Sequence, residues 1–320
     1  MRTYYDVKEK LLEQSYQNKI SMVGEFELSK NCNFNCEMCY AKSLDKNLSR
    51  EEWIDIFKQA YNNGMLYALL TGGEVFLQPD FLYLYSYLFD LGVKISIYTN
   101  GSMLTDKILD FLSKKPPELI AITLYGYNET SYQKFTGTNS FKDVSRNIDK
   151  LLSNNLNVVL RTIPLPQIYN NLDKVINFAK EKQLQMSYFL YVSKTNDEVI
   201  RLNPEELLDF KNQMKKAFPS KTESSKSHYC SAFKNGFFVN HSGFMQGCAM
   251  MPTPSDKITN NFKELYIKLG KEWNELLKQS PCKNCSIKDN CFTCLARRYL
   301  EGNVFACSDY LKEFAEMNTK

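Results

Sequence analysis

Histidine is nearly absent from this chain: His228 and His241 are the only two in 320 residues. Metal sites built mainly from imidazole are excluded on that ground. No apolar run approaches the ~20 residues of a membrane span. The charged start Met1-Arg2-Thr3-Tyr4 lacks the pattern of a signal peptide. Nor is there a basic block, and the net charge is only +4, so nucleic acid is not indicated as a partner. These absences lead to the expectation of a cytoplasmic protein without a membrane. Cysteine, by contrast, is plentiful, at ten residues. Such a count suits a secreted disulfide scaffold only in a much shorter chain, and in a cytoplasmic enzyme it points to metal.

Three of the thiols stand close together in Cys32-Asn33-Phe34-Asn35-Cys36-Glu37-Met38-Cys39. The stretch follows a strand-like run, Glu25-Phe26-Glu27-Leu28-Ser29, and so occupies the loop leaving the first strand. Three close cysteines can hold three irons of a cubane cluster and leave the fourth bare, where a small molecule can be ligated and reduced. The competing readings are a partial zinc site or buried thiols. Zinc clusters usually open with a C-x2–4-C pair that is completed to four ligands, and nothing nearby completes this set.

Strand-like and helix-like segments alternate along the next two hundred or so residues. Short apolar runs rich in β-branched or aromatic residues predict strands at Phe26–Ser29, Leu66–Thr71, Lys94–Thr99, Leu119–Tyr125, Val158–Ile163 and Met186–Val192. Ser49 and Glu52 form a capping box for a helix over Arg50–Asn63, Ser140 opens Phe141–Ser153, Asn171 opens the next, and Asn203-Pro204 starts another that runs to about Ala217. The alternation implies a parallel α/β sheet with helical crossovers. Six such units fall short of the eight strands of a complete barrel, so a partial (β/α)6 barrel is expected. The expected division is an N-terminal extension 1–24 with a short helix around Val7–Leu12, a barrel 25–218, a polar linker 219–227, and a small cysteine-rich domain 228–320 that holds seven of the ten cysteines. The extension is too short for a separate peptide-binding domain. Asn240-His241-Ser242-Gly243 reads as the turn of a β-hairpin in the last region.

The motif CxxxCxxC after strand one resembles the signature of the radical S-adenosylmethionine (SAM) superfamily, whose architecture is this partial barrel. The resemblance implies that Cys32, Cys36 and Cys39 hold a 4Fe–4S cluster to which SAM binds. Met38 replaces the usual aromatic and would pack on the adenine, with help from Tyr40. Thr71-Gly72-Gly73-Glu74 resembles the element that binds the SAM amine, its glycines admitting backbone close to a ligand and Glu74 meeting the ammonium. Thr123 stands where the family has a ribose-binding serine, while Tyr125 replaces the family's acidic residue. Arg146 matches an arginine that meets the SAM carboxylate, or else is a solvated helix residue. Arg161, which interrupts an apolar strand and needs a partner when buried, is the alternative clamp.

In the C-terminal region, Cys282, Cys285, Cys291 and Cys294 form two CxxC pairs that alone would equally suit zinc. With Cys230, Gly243, Cys248 and Cys307 they resemble the SPASM extension, which carries auxiliary 4Fe–4S clusters; the spacing to Cys294 is one residue short. By resemblance, Cys282, Cys285, Cys291 and Cys307 close one cluster. Cys230, Cys248 and Cys294 hold the other with one ligand missing, a gap open to Ser224, His228, His241, water or substrate.

The function implied is reductive cleavage of SAM and oxidative modification of a ribosomally made precursor peptide, by a thioether or a carbon–carbon or carbon–oxygen cross-link. A reductant such as flavodoxin or ferredoxin and a separate leader-binding protein would be its partners. Ala249 stands where sulfatase-maturating relatives carry a catalytic Asp, and no cysteine is left over as the hydrogen donor of an epimerase, so no catalytic residue is assigned. A small-molecule or cofactor-biosynthesis enzyme is the runner-up, with a peptide epimerase as a further alternative. A non-catalytic zinc or iron–sulfur binding protein is the reading from outside enzymology.

Overall fold

The computed structural model describes residues 4–36, 38–39, 46–193, 201–219, 230–291 and 293–319. Its centre is one nine-stranded sheet. The first six strands are β1 (Val23–Glu27), β2 (Tyr67–Thr71), β3 (Lys94–Thr99), β4 (Leu119–Thr123), β5 (Val158–Thr162) and β6 (Met186–Tyr188). Each pairs in parallel with the one before it, and a helical connection lies between successive strands. The expected (β/α)6 arrangement is therefore present. Strands β2 and β3 end where the apolar runs suggested, while β1, β4, β5 and β6 end sooner; at β4, Tyr125 leaves the ladder to pack against Phe34 and Phe135.

The β1 edge carries a finding that the local sequence did not announce. Strand β7 (Gly236–Val239) adds to β1 in parallel, in the register Val23↔Gly236 to Phe26↔Val239. It then turns at Asn240–Gly243 into β8 (Phe244–Cys248), and β8 pairs antiparallel with β9 (Met251–Lys257). The hairpin is as expected, but it continues the barrel sheet. The strand order is β6-β5-β4-β3-β2-β1-β7-β8-β9. Apart from Pro219, the linker expected at 219–227 lies outside the described residues.

One aromatic seam fastens the two regions together. Phe26 of β1 is fully buried and meets Trp53 and Phe57 of the helix Arg50–Asn62, with ring centroids 6.2 and 4.9 Å away. Phe237 of β7 lies 5.7 Å from Phe26 and 5.1 Å from Phe262 of the helix Phe262–Lys278. Burying an aromatic of this kind contributes roughly 1.5–3 kcal/mol. At the far edge of the barrel, Arg201 and Glu301 form an enclosed ion pair (2.5 Å), and Tyr191 donates to the same carboxylate at 2.8 Å. The C-terminal region thus holds the partial barrel at both of its edges.

The N-terminal helix runs over Tyr4–Asn18, longer than the Val7–Leu12 expected. It docks at the amino ends of the strands: Lys8 pairs with Glu118 and lies over Tyr67, and Asn235 donates to Leu12 O and Ser15 Oγ at 3.1 Å. Both capping boxes formed by Asn or Ser with Glu are present, at Ser49–Glu52 and Asn203–Glu206. Ser140 and Asn171 do stand at the N-cap positions, but neither caps with its side chain; Ser140 Oγ bonds Thr138 Oγ1 instead.

Candidate active site

The carboxyl ends of β1 to β4 form the mouth of the barrel, and backbone hydrogen bonds lay the cysteine loop across it. Leu28 N donates to Thr71 O (2.9 Å), Gly73 N to Ser29 O (2.7 Å) and Glu74 N to Asn31 O (2.8 Å). This close approach explains both glycines. A Cβ on Gly72 would stand 2.5 Å from Ser29 O, and one on Gly73 the same distance from Asn31 O. The glycines were expected to admit a ligand; what they admit here is the backbone of the cysteine loop itself.

Glu74 is the peg of the assembly. Its carboxylate has no exposure and accepts from Thr99 Oγ1 (2.6 Å), Asn100 N (2.7 Å) and Phe76 N (3.1 Å). Burial raises its pKa and those donors oppose the shift. Asn100 in turn donates to Asn33 Oδ1 at 2.9 Å and reaches toward Cys32 Sγ at 4.0 Å. The turn at the end of β3 therefore grips the loop between the first two thiols.

Beneath the loop is an aromatic bed. Phe34 packs against Tyr125 and Tyr132, and Tyr125 stacks on Phe135 at 5.6 Å. Burial, together with the charges of Cys36, Cys39 and Cys32, holds the Tyr125 phenol well above its ordinary range. All three thiols therefore lie within range of one neutral phenol. Met38 is partly buried on the same core, and Tyr40 lies outside the described residues.

Inside the barrel the alternation of side chains selects the lumen residues. Phe26 faces the helices, so Glu25 and Glu27 face inward. Thr71 and Thr123 end β2 and β4, both partly open. Arg161 on β5 stacks over Tyr98 of β3, its guanidinium carbon 4.1 Å from the ring centroid. Arg146 sits elsewhere, 63% exposed on its helix and bonded to Asp143 at 2.6 Å. Glu27 binds His241 through both backbone N (3.2 Å) and Nδ1 (2.7 Å), an anchor of the hairpin turn to the end of β1.

The remaining thiols sort into two sets. Cys230, Cys248 at the end of β8, and Cys294 at the start of the helix Leu295–Leu300 lie within range of one another's charge. Burial, then these neighbours, pushes the Cys248 thiol up to about 12. Cys282, Cys285, Cys291 and Cys307 make the other set, with Cys291 pushed up to about 11. Five of these thiols are partly buried, with Cys230 and Cys307 exposed; grouped thiols that repel one another as thiolates call for a cation to stabilise them, which is the donor chemistry of a metal centre. Among the described residues no three His, Cys, Asp or Glu are arranged to hold one metal ion. A cubane asks for one thiolate on each iron rather than four around a point. Ser224 and His228 lie outside the described residues, and the Nδ1 of His241 is taken by Glu27.

Three groups escaped the sequence reading. Glu25 and Glu27 are charged residues in a strand buried on both sides, and that was the available signal. Arg298, 2% exposed, donates from Nη1 to Cys282 Sγ at 2.7 Å and from Nε to Val304 O at 2.7 Å; nothing local marked it.

Comparison with known proteins finds similarities over part and over most of the chain. Residues 26–179 match the model of the radical SAM superfamily. The chain is 22% identical over 333 residues to AdoMet-dependent heme synthase of Methanosarcina barkeri, covering 90% of this chain and 93% of that protein. It is 31% identical over 133 residues to the antilisterial bacteriocin subtilosin biosynthesis protein AlbA of Bacillus subtilis, covering 40% of this chain and 30% of that one. The crystal structure of Streptococcus suis SuiB bound to S-adenosylmethionine shares the fold, with a TM-score of 0.73, 15% identity, and coverage of 97% of this chain and 83% of SuiB.

Proposed function

We propose that this protein, whose residues 26–179 match the model of the radical SAM superfamily, oxidatively cross-links a ribosomally made peptide. The observation that carries the reading is the sorting of ten thiols into three at the barrel mouth and two further sets beyond it. Oxidation needs an acceptor for an electron, and the two further sets supply places for one. The similarity to AlbA, named for the biosynthesis of a bacteriocin, supports a peptide as the substrate class.

Cys32, Cys36 and Cys39 would hold a 4Fe–4S cluster, and the chemistry it would supply when bound is reductive cleavage of SAM to a fragment able to take a hydrogen atom from an unactivated carbon. Backbone at Thr71, Gly72 and Gly73 meets the SAM ammonium, while the enclosed Glu74 keeps that turn in shape. Thr123 meets the ribose and Met38 packs on the adenine. Arg161 takes the SAM carboxylate, because it lies on the lumen face and Arg146 is spent on Asp143 outside. Cys230, Cys248 and Cys294 hold the nearer auxiliary cluster, and Cys282, Cys285, Cys291 and Cys307 the further one. A flavodoxin or ferredoxin supplies electrons, and a separate protein binds the peptide's leader. A cytoplasmic setting is the reading that ten cysteines without a disulfide support; no helix among the described residues is long and apolar enough to cross a membrane.

The test is mass spectrometry of candidate precursor peptides co-expressed with the protein. The expected product lacks two hydrogens per event, and Ala at Cys32, Cys36 and Cys39 abolishes both that product and 5′-deoxyadenosine. An unchanged peptide mass with inverted stereochemistry overturns cross-linking. The near full-length similarity to a heme synthase favours one second reading, oxidation of a porphyrin precursor. Turnover of a tetrapyrrole with no change in any peptide would establish it instead.

A further inference from the structure

We propose that Glu25 is the catalytic base of this enzyme, accepting the proton that the peptide loses as its cross-link closes. The proposal deepens the oxidative reading above and rests on it. Glu25 occupies the middle of β1, with Leu69 of β2 and Phe238 of β7 as its register partners. Its side chain points into the lumen, since its neighbour Phe26 is buried among Trp53, Phe57 and Phe237 on the other face.

Two properties set it apart from the other enclosed carboxylates. Glu74 has three hydrogen-bond donors, Glu27 has His241, and Glu301 has Arg201 and Tyr191. Among the described residues Glu25 has no hydrogen-bond partner, although protein surrounds it and part of its surface stays open to the lumen. An enclosed carboxylate without a donor is costly, and such groups cluster where chemistry is done. Its position is also suited to the task. Arg161 acts on it from β5, Glu27 from its own strand, and its charge is felt at Cys248 on β8. It therefore stands between the SAM-facing cation and the nearer auxiliary thiols.

Desolvation, the largest cause, raises its pKa, Arg161 opposes the shift and Glu27 adds to it, which leaves it at about 7; Cys248 is the third group in range of its charge. A base poised there is half ionised near neutrality and releases its proton easily afterwards. In the overall step a substrate C–H bond breaks, with the hydrogen atom going to the SAM-derived fragment. A neighbouring N–H, O–H or S–H of the peptide gives its proton to a Glu25 oxygen, and its heavy atom bonds to the radical carbon. The surplus electron would go to the iron–sulfur cluster that Cys230, Cys248 and Cys294 would hold. One hydrogen atom, one proton and one electron leave, and the peptide is lighter by two hydrogens.

The experiment has two arms. Carbon-13 NMR of glutamate-labelled apoprotein, compared between wild type and Glu25→Gln, reads the titration of this carboxyl with no cofactor or peptide present. A midpoint near pH 7 supports the proposal; one at the ordinary value of about 4.3 overturns it. In the second arm, the peptide modified in the mass-spectrometric test is the probe. Glu25→Gln should lose product formation by roughly 10²–10⁴-fold, keep 5′-deoxyadenosine formation within a few-fold of wild type, and be partly rescued by Glu25→Asp. Product at the wild-type rate overturns the assignment, as does parallel loss of SAM cleavage in a folded variant, which would mark a structural role. Failure of the wild type to cleave SAM at all would instead sink the functional reading.

Discussion

Arg298 shows how much a single side chain can do for an otherwise ordinary thiol set. Its guanidinium is enclosed, is fixed by Val304 O, and donates to Cys282 Sγ at 2.7 Å. A charge-assisted hydrogen bond to a ligand sulfur stabilises the more negative, reduced state of a cluster. Its neighbour Arg297 packs over Phe189 at 4.9 Å and carries its charge to Cys294, Cys291 and Cys248, between the two sets. Replacing Arg298 by Gln should lower the reduction potential of the cluster proposed at Cys282, Cys285, Cys291 and Cys307 by on the order of 60 mV, a tenfold change for one electron. A redox titration followed by electron paramagnetic resonance measures it, and an unchanged potential would reduce Arg298 to a packing residue. At this scale the sequence was only partly legible. The cysteines announce themselves by spacing. Arg298 does not, because its role depends on a fold-back from Cys294 toward Cys282 that no spacing encodes.

Among the elements, the loop after β1 is the most demanding. It is held by the ends of β2 and β3, through Ser29 and Asn31 on one side and Asn33 on the other. Gly73→Ala would press a methyl group against Asn31 O and push the loop off the β2 end, at a cost of roughly 1–3 kcal/mol. The prediction is a reconstituted protein with clearly reduced iron and sulfide at the mouth and unchanged auxiliary content, read by metal analysis on a background lacking auxiliary cysteines and on one retaining them. Full loading would show that the loop can give way. Strand and helix alternation was readable here because β1 to β6 are short, apolar and separated by helices with local caps. Strand ends were less so. Tyr125 has strand character, yet the aromatic bed under the cysteine loop takes it out of β4.

Across the whole molecule, the pairing of β7 with β1 matters most. It joins residues more than two hundred positions apart, so no local pattern could reveal it, and a composition change near residue 219 suggested separation instead. The Phe26–Phe237 seam makes the two regions one cooperative body. Each of the two tryptophans reports one region, Trp53 the barrel and Trp273 the C-terminal helix. In single-tryptophan variants the fluorescence midpoints in denaturant should coincide, and Phe26→Ala should lower both by about 3–5 kcal/mol. Separate midpoints would show two independent units.

The shared sheet has one more effect. Strand β1 runs directly into the thiols proposed to meet SAM, and its neighbour β7 leads through a tight turn to Cys248 on β8. Adjacent rungs of one ladder thus act as a ruler between donor and acceptor centres. Loops around the mouth can diversify to greet new substrates while the electron's journey keeps a constant length.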